Sequence, residues 1–348
     1  METFWIKPKL YFGPEPLEAL SALAGKRVLI VTDAFLASSG LLDRVKARLT
    51  GEVSVFDRVE PDPSLRLVAE GGRAVRTFRP EAVVAFGGGS PMDCAKAMCW
   101  FSGDRDLPLY CIPTTAGTGS EVTSFAVLTD TDQGVKYPLV EDGLLPEGAI
   151  LEPAFLDGVP PKVTADTGMD VLTHAAEAAA AVGANPFTDA LAESAFALAW
   201  RALPRAYQGD RAAKAEMLYA SCMAGVAFNA AGLGVCHSMA HALGGRFHVA
   251  HGRLNALLLP QVVAFNAADA RAAEKYARLA RRCGLAANPR ALSAALVRLR
   301  TARLDLPPAE LKAALPALSA AALSDVCLPG NPRPVAAADV EAMMEALV

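Results

Sequence analysis

AVVAFGGGSPMDCAKAMCW, residues 82–100, is the stretch that decides the fold. Its first part, AVVAFGGG (82–89), is a short apolar run ending in glycines, and MDCAKAMCW (92–100) follows with helical periodicity. A run with no polar alternation fits a strand covered on both faces, since successive side chains point to opposite sides of a sheet. The same unit repeats on either side. RVLIVTD (27–33) leads into LLDRVKARL (41–49), EVSVF (52–56) precedes SLRLVAEGGRAVRTF (64–78), and LYCIPTT (109–115) comes after the central helix. Strand–helix alternation at this spacing predicts βαβ units and a parallel sheet with right-handed crossovers. Ligands of such sheets bind beyond the carboxyl ends of the strands, here the segments ending TD, FGGGS and PTT.

From about residue 162 β-branched residues thin out and helical periodicity takes over, as in VTADTGMDVLTHAAEAAA and NPFTDALAESAFALAWRAL. Val159-Pro160-Pro161 marks the change, because paired prolines stop one element and can start a helix. The expectation is an α/β domain over residues 1–158 and an all-helical domain over 159–348, which suits a chain of 348 residues.

Composition narrows the classes of partner. A formal net charge of −4 argues against nucleic acid, and no apolar run approaches the roughly 18 residues of a membrane span. The first residues, METFWIKPKLYFGPEP, carry an early proline and no continuous apolar core, so they do not read as a secretory signal. Seven cysteines, scattered singly and with no C-x-x-C pair, read as buried thiols of a reducing, cytoplasmic compartment.

Gly87-Gly88-Gly89-Ser90 follows a buried strand and opens a helix, so its backbone N–H groups can turn toward an anion at the positive helix end. A second loop, Pro113 to Glu121, adds hydroxyls and further amides. Two such loops at adjacent strand ends suit a dinucleotide pyrophosphate, although neither is a G-x-G-x-x-G or Walker A sequence. Asp33 ends the first long strand. It is either a ribose acceptor, which favours NAD over NADP, or a turn or N-cap aspartate.

All five histidines lie between His174 and His251, four of them in HSMAHALGGRFHVAH (237–251). Asp170 with His174, and His237 with His241, are i,i+4 pairs that share a helix face. With His251 they offer one carboxylate and several imidazoles, a set suited to a divalent transition metal; iron, zinc and others are all compatible. His248 reads equally as a cleft residue and as a loop histidine. Phe12, Phe125, Tyr137, Phe228 and Phe247 are candidates for an apolar substrate wall or for core packing.

GGGSPMD (87–93), PTTAGTGSEVT (113–123), GMDVLTHAAEA (168–178), HSMAHALGG (237–245), HGRLNALLLP (251–260) and NPRP (331–334) together resemble the iron-dependent (group III) alcohol dehydrogenase family, in family order. YPL (137–139), GGRFHVAHG (244–252) and RAAEKYARLA (271–280) resemble its branch from propanediol-utilisation microcompartments and ethanolamine pathways. The resemblance implies a dehydroquinate synthase-like fold, a Rossmann-like parallel-sheet domain followed by helices, with the active site in the cleft between them. It places Asp170, His174, His237 and His251 on the metal ligands, and His241 on a proton-relaying histidine beside the nicotinamide. Asp33 falls on the ribose-binding acid, and Gly88, Gly89 and Ser90 on the pyrophosphate loop. Asp62, Thr114, Thr123 and Lys136 fall on further NAD contacts. Ala250 departs from the proline that often precedes the last ligand, which puts the rigidity of that loop in question. The implied cofactors are NAD(H) and Fe(II), with Zn(II) as the alternative metal. The implied activity is reduction of propionaldehyde or acetaldehyde to the alcohol, by a homodimer associated with a microcompartment. A zinc glycerol dehydrogenase-like enzyme is the near alternative. A dehydroquinate synthase-like lyase needs a basic pocket, of which the second half shows no sign around its histidines. A non-catalytic metal binder leaves the glycine loops unexplained.

Overall fold

Both faces of the first sheet are buried, and the alternation of its strands shows how. In β2 (Val28–Val31) Val28 and Ile30 join one apolar cluster with Leu20, Leu42 and Phe155, while Leu29 and Val31 join another with Val68, Val75 and Met98. β4 (Ala82–Gly87) divides likewise, Val84 and Phe86 to the first cluster and Val83 and Ala85 to the second. The computed structural model describes residues 3–132 and 135–347, and the chain divides into two compact units, Met1–Gly158 and Val159–Val348.

In the first unit six parallel strands lie in the order β1-β8-β5-β4-β2-β3, with β1 at Lys9–Tyr11, β3 at Val53–Phe56, β5 at Leu109–Pro113 and β8 at Gly148–Ile150. The helices are α1 (Ala34–Ser38), α2 (Leu41–Lys46), α3 (Leu65–Phe78) and α4 (Gly89–Ser102). The parallel α/β sheet expected from the strand–helix alternation is the one observed. An antiparallel hairpin, β6 (Phe125–Asp130) with β7 (Val135–Val140), stands outside that alternation. The N-terminal segment FWIKPKLYF pairs through β1 with β8 of its own chain, at the sheet edge.

The second unit is helical: α5 (Pro161–Ala180), α6 (Pro186–Tyr207), α7 (Arg211–Ala231), α8 (Val235–Phe247), α9 (His251–Asn266), α10 (Ala270–Arg282), α11 (Pro289–Leu299), α12 (Pro308–Leu323) and α13 (Ala337–Glu345). α5 begins directly at Pro161, whose missing N–H costs nothing in the first turn. Every residue from Gly168 to Ala180 is buried, so α5 is the central helix of this unit, and its alanines let neighbours approach closely. Among the described residues no single helix is long and apolar enough to cross a membrane.

A buried charge cluster ties α4 to the loop after β5. Asp93 accepts from Ser120 Oγ at 2.7 Å and from the Val127 amide at 3.0 Å. Lys96, 1 % exposed, donates to the carbonyl oxygens of Thr123 and Phe125 at 2.7 and 2.8 Å. Glu121 is equally buried, and its Oε1 has no hydrogen-bond partner. Burial pushes the Glu121 carboxyl up to about 7, against its own backbone amide and the Lys96 charge. An acid whose folded pKa exceeds its unfolded value of 4.5 stabilises the fold below that value, and this contribution is lost as pH rises toward 7. Glu121→Gln removes the titration, so its melting temperature should match wild type near pH 4.5 and exceed it above pH 7, by on the order of 2 kcal/mol of stability. Thermal melts across that range check it; a constant offset at every pH contradicts it.

Candidate metal centre and dinucleotide loops

Asp170, His174 and Glu177 follow one another at i, i+4 and i+7 along a single stripe of α5, and all three are buried. His237 and His241 lie one turn apart on α8, and His251 is the first residue of α9. These three helices bring the side chains together. One ligand atom from each of Asp170, His174 and His237 falls within a 4.8 Å group. His237 Nε2 is 3.9 Å and His251 Nε2 3.7 Å from Asp170 Oδ1. The rings of His174 and His237 stack with centroids 4.6 Å apart, and that of His251 is 5.2 Å from His237.

The tautomer of His237 is set from behind. Glu177 Oε2 lies 2.5 Å from His237 Nδ1, and Glu177 Oε1 accepts from the Cys236 amide at 2.8 Å. Nδ1–H therefore donates to the carboxylate, and the unprotonated Nε2 faces Asp170. Burial, with the neighbouring His174 and His241, holds the His237 imidazole well below its ordinary pKa, so it stays neutral and able to ligate. His251 is held low in the same way, chiefly by burial, although its side chain is 32 % exposed; its Nε2 edge faces the buried Asp170. Burial lifts Glu177 to about 7, against the N–H groups of Cys236, Gly234 and His237. His174 is packed between Phe228 and His237, and its Nδ1 is buried without a hydrogen-bond partner. A buried carboxylate oxygen, neutral imidazole lone pairs aimed at it and an orphaned ring nitrogen fit a divalent cation.

His241 lies outside this set but against it, stacked 5.2 Å from His251. Its Nδ1 bonds Asp325 Oδ2 at 2.9 Å. Burial raises the Asp325 carboxyl, yet the bonds from His241 and the Cys327 amide outweigh it and hold the group below its usual range. His241 thus presents Nε2 as a proton acceptor. His248 is exposed and left-handed, φ 54°, at the end of α8, and its amide donates to Gly244 O; this is a helix-ending loop histidine. Phe228 packs behind His174 in the core. Ala250 has φ −55°, the backbone a proline would adopt, so the loop shape is kept without the ring.

The loops of the first unit converge as well. Gly88 caps α4 without a side-chain bond, which leaves the first amides of the helix available. A Cβ on Gly89 would stand 2.9 Å from Thr118 Cγ2, and one on Gly88 3.2 Å from Thr115 Oγ1, so the two loops abut where only glycine backbone fits. Thr114 donates its amide to Gly87 O at 2.9 Å, and Ser90 sits in the first turn of α4. Asp33 Oδ1 accepts from the Leu36 amide at 2.8 Å, the N-cap geometry, which leaves its second oxygen for another donor. Asp62 and Lys136 pair with each other at 2.7 Å. Thr123 is buried with Oγ1 3.3 Å from Lys96 Nζ, facing the protein.

A family model described as "Iron-containing alcohol dehydrogenase" matches residues 7–153, and one described as "Fe-containing alcohol dehydrogenase family, C-terminal" matches residues 164–348. The chain belongs to the iron-containing alcohol dehydrogenase family. It is an oxidoreductase of that family, with the family's fold. It is 45 % identical over 370 residues to the 1-propanol dehydrogenase PduQ of Salmonella typhimurium, covering 100 % of both chains. It is 37 % identical to the NADPH-dependent butanol dehydrogenase of Clostridium saccharobutylicum, over 96 % of this chain and 94 % of that one. The sulfoacetaldehyde reductase of Bifidobacterium kashiwanohense, solved in complex with NAD+, superposes with a TM-score of 0.89 at 29 % identity, over 100 % and 98 % of the two chains.

Three residues of the metal-centre surroundings escaped the sequence reading. Glu177 lies on the stripe that Asp170 and His174 define, so periodicity could have found it. Asn255, buried four residues after His251 on α9, is a second such case. Asp325 is 84 residues from His241, and no local pattern announces it.

Gly252 sets how closely α9 approaches α5. A Cβ there would lie 2.3 Å from the Asp166 carbonyl oxygen and 3.3 Å from Asp170 Cβ. Gly252→Ala should force the start of α9, and His251 with it, off α5 at a cost of about 1–3 kcal/mol. Metal content after dialysis and the melting temperature should both fall; wild-type values of both contradict this packing.

Proposed function

We propose that the chain is a metal-dependent, NAD(H)-linked alcohol dehydrogenase that reduces a short-chain aldehyde to its primary alcohol: RCHO + NADH + H+ gives RCH2OH + NAD+. The observation that carries this reading is the buried grouping of Asp170, His174 and His237, with His251 Nε2 3.7 Å from Asp170 Oδ1, at the motif positions of the family. These four residues would hold the ion, Fe(II) by family and Zn(II) as the alternative. When bound, the ion acts as a Lewis acid on the substrate oxygen and stabilises the charge that develops there. Propionaldehyde or acetaldehyde is the substrate class that the likeness to a 1-propanol dehydrogenase supports.

The chain's own groups divide the remaining work. Glu177 orients His237, and burial keeps the His237 and His251 imidazoles neutral. His241, fixed through Nδ1 by Asp325, exchanges the proton of the alcohol through Nε2. Gly88, Gly89, Ser90 and Thr114 supply amides and a hydroxyl for the pyrophosphate. Asp62 and Lys136 act as a pair at the rim, and Thr123 supports the loop from within rather than touching cofactor through its hydroxyl. The free oxygen of Asp33 accepts from the ribose hydroxyls and repels a 2′-phosphate. Since one relative is NADPH-dependent by name, coenzyme choice varies among similar chains, and Asp33 is the residue that makes it here. Leu10 and Phe12, exposed along the edge strand and just after it, together with Trp5 and Ile6, support a homodimer through that edge. Association with a microcompartment is part of the same reading.

Metal-loaded protein should oxidise NADH with propionaldehyde and should not do so with buffer alone. It should turn over glycerol with NAD+ poorly. NADH should be preferred over NADPH, and Asp33→Ala should reduce that preference about tenfold or more. Failure with every aldehyde under Fe(II) or Zn(II) contradicts the activity; equal efficiency of wild type with NADPH contradicts the role of Asp33.

A further inference from the structure

Asn255 is fully buried, and its side-chain nitrogen reaches three groups of the metal centre at once: Asp170 Oδ1 at 2.7 Å, His251 Nε2 at 3.1 Å and His237 Nε2 at 3.3 Å. The amide cannot be turned the other way. Its oxygen would then face Asp170 Oδ1 at 2.7 Å, acceptor against acceptor. On the far side, Asn255 Oδ1 is 3.7 Å from Cys236 Sγ, placed to accept from that thiol. Both ends of the carboxamide therefore agree on one orientation.

An –NH2 group has two hydrogens, and here it serves three converging acceptors. All three are atoms whose lone pairs a cation needs. An unprotonated imidazole nitrogen has a single lone pair, so His237 Nε2 and His251 Nε2 cannot accept from Asn255 and bind an ion at once, whereas Asp170 Oδ1 has two and can keep its bond to the amide.

We propose that Asn255 is a built-in stand-in for the metal: its amide group satisfies the ligand atoms in the metal-free protein and gives up the two imidazole nitrogens when the ion binds. The inference rests on the metal-site reading above and extends it to a residue that reading does not use. Metal binding becomes an exchange, in which a neutral N–H donor leaves the two imidazoles and a dication takes its place. The metal-free fold is spared a buried carboxylate with no donor, which is a costly arrangement. In return the apparent metal affinity is weakened by the strength of the bonds that must break, so Asn255 is a positioning residue that sets how readily the centre loads and unloads.

The test uses full-length protein purified with Zn(II), then stripped with a chelator. Zn(II) affinity is measured by competition against a chromophoric chelator, and melting is followed with and without Zn(II). Asn255→Ala should lower the Zn(II) Kd about ten- to a hundredfold and depress the melting temperature of the metal-free protein more than that of the Zn(II) form. Asn255→Asp, equal in size but with an oxygen in place of the nitrogen, should tighten Zn(II) at least as much and destabilise the metal-free form further. An unchanged or weaker affinity in both variants, or equal losses of melting temperature in the two forms, overturns the proposal and makes Asn255 a packing residue. If a variant does not fold, the Zn(II)-bound wild-type crystal structure decides. Asn255 Nδ2 displaced from His237 Nε2 and His251 Nε2 supports the exchange; Nδ2 still bonded to these nitrogens overturns it. Wild-type protein that binds no Zn(II) at these residues defeats the metal-site reading itself, an outcome separate from the other two.

Discussion

A carboxylate taken out of water and ringed by the unprotonated edges of imidazoles is a set of acceptors without enough donors. That electrostatic demand organises the helical unit. Asp170 is 3 % exposed, and the nearest ring nitrogens present lone pairs rather than hydrogens. Protonating the histidines would relieve the demand, but burial opposes it and holds His237 and His251 neutral. A dication meets the demand without moving a proton, which is why a site of this kind is both stable and useful when loaded.

The surrounding residues are explained by what they do for that centre. Glu177 consumes the hydrogen of His237 and so decides which nitrogen is left. Gly252 lets α9 press against α5 closely enough for His251 to reach Asp170. Phe228 stacks on the face of His174 with ring centroids 4.5 Å apart and so fixes the plane of that imidazole. Asp325 engages His241 Nδ1 as Glu177 engages His237 Nδ1, which leaves Nε2 for the proton exchange proposed above. In the first unit, the start of α4 abuts the loop after β5, and a buried cluster of Asp93, Lys96 and Glu121 ties the two together.

Much of this was legible from one chain. A sheet buried on both faces leaves continuous apolar strands such as AVVAFG, and a helix that carries ligands leaves an i,i+4 signature, so the fold class and the ligand candidates could be read from residue order. The β6–β7 hairpin could not, because the strand–helix alternation around it points to parallel pairing. Thr123 shows a contact that its motif position does not announce, its hydroxyl lying 3.3 Å from Lys96 Nζ. Asp33 had two readings, and the structure makes the N-cap real without excluding the second, since a carboxylate has two oxygens. Asn255 and Asp325 act through contacts between helices. Those contacts exist only after α5, α8 and α9, and the segment that carries Asp325, have packed.

The central claim is that one ion is gripped by Asp170, His174, His237 and His251. A second group, His241, Asp325 and Cys327, also clusters its ligand atoms within 4.8 Å and is the natural competitor. Anomalous diffraction at the zinc or iron edge from metal-loaded crystals separates the two. The account predicts a single strong peak bounded by Asp170 and the three imidazoles, with His241 uncoordinated. A dominant peak at Asp325 and Cys327, or none near Asp170, would contradict it.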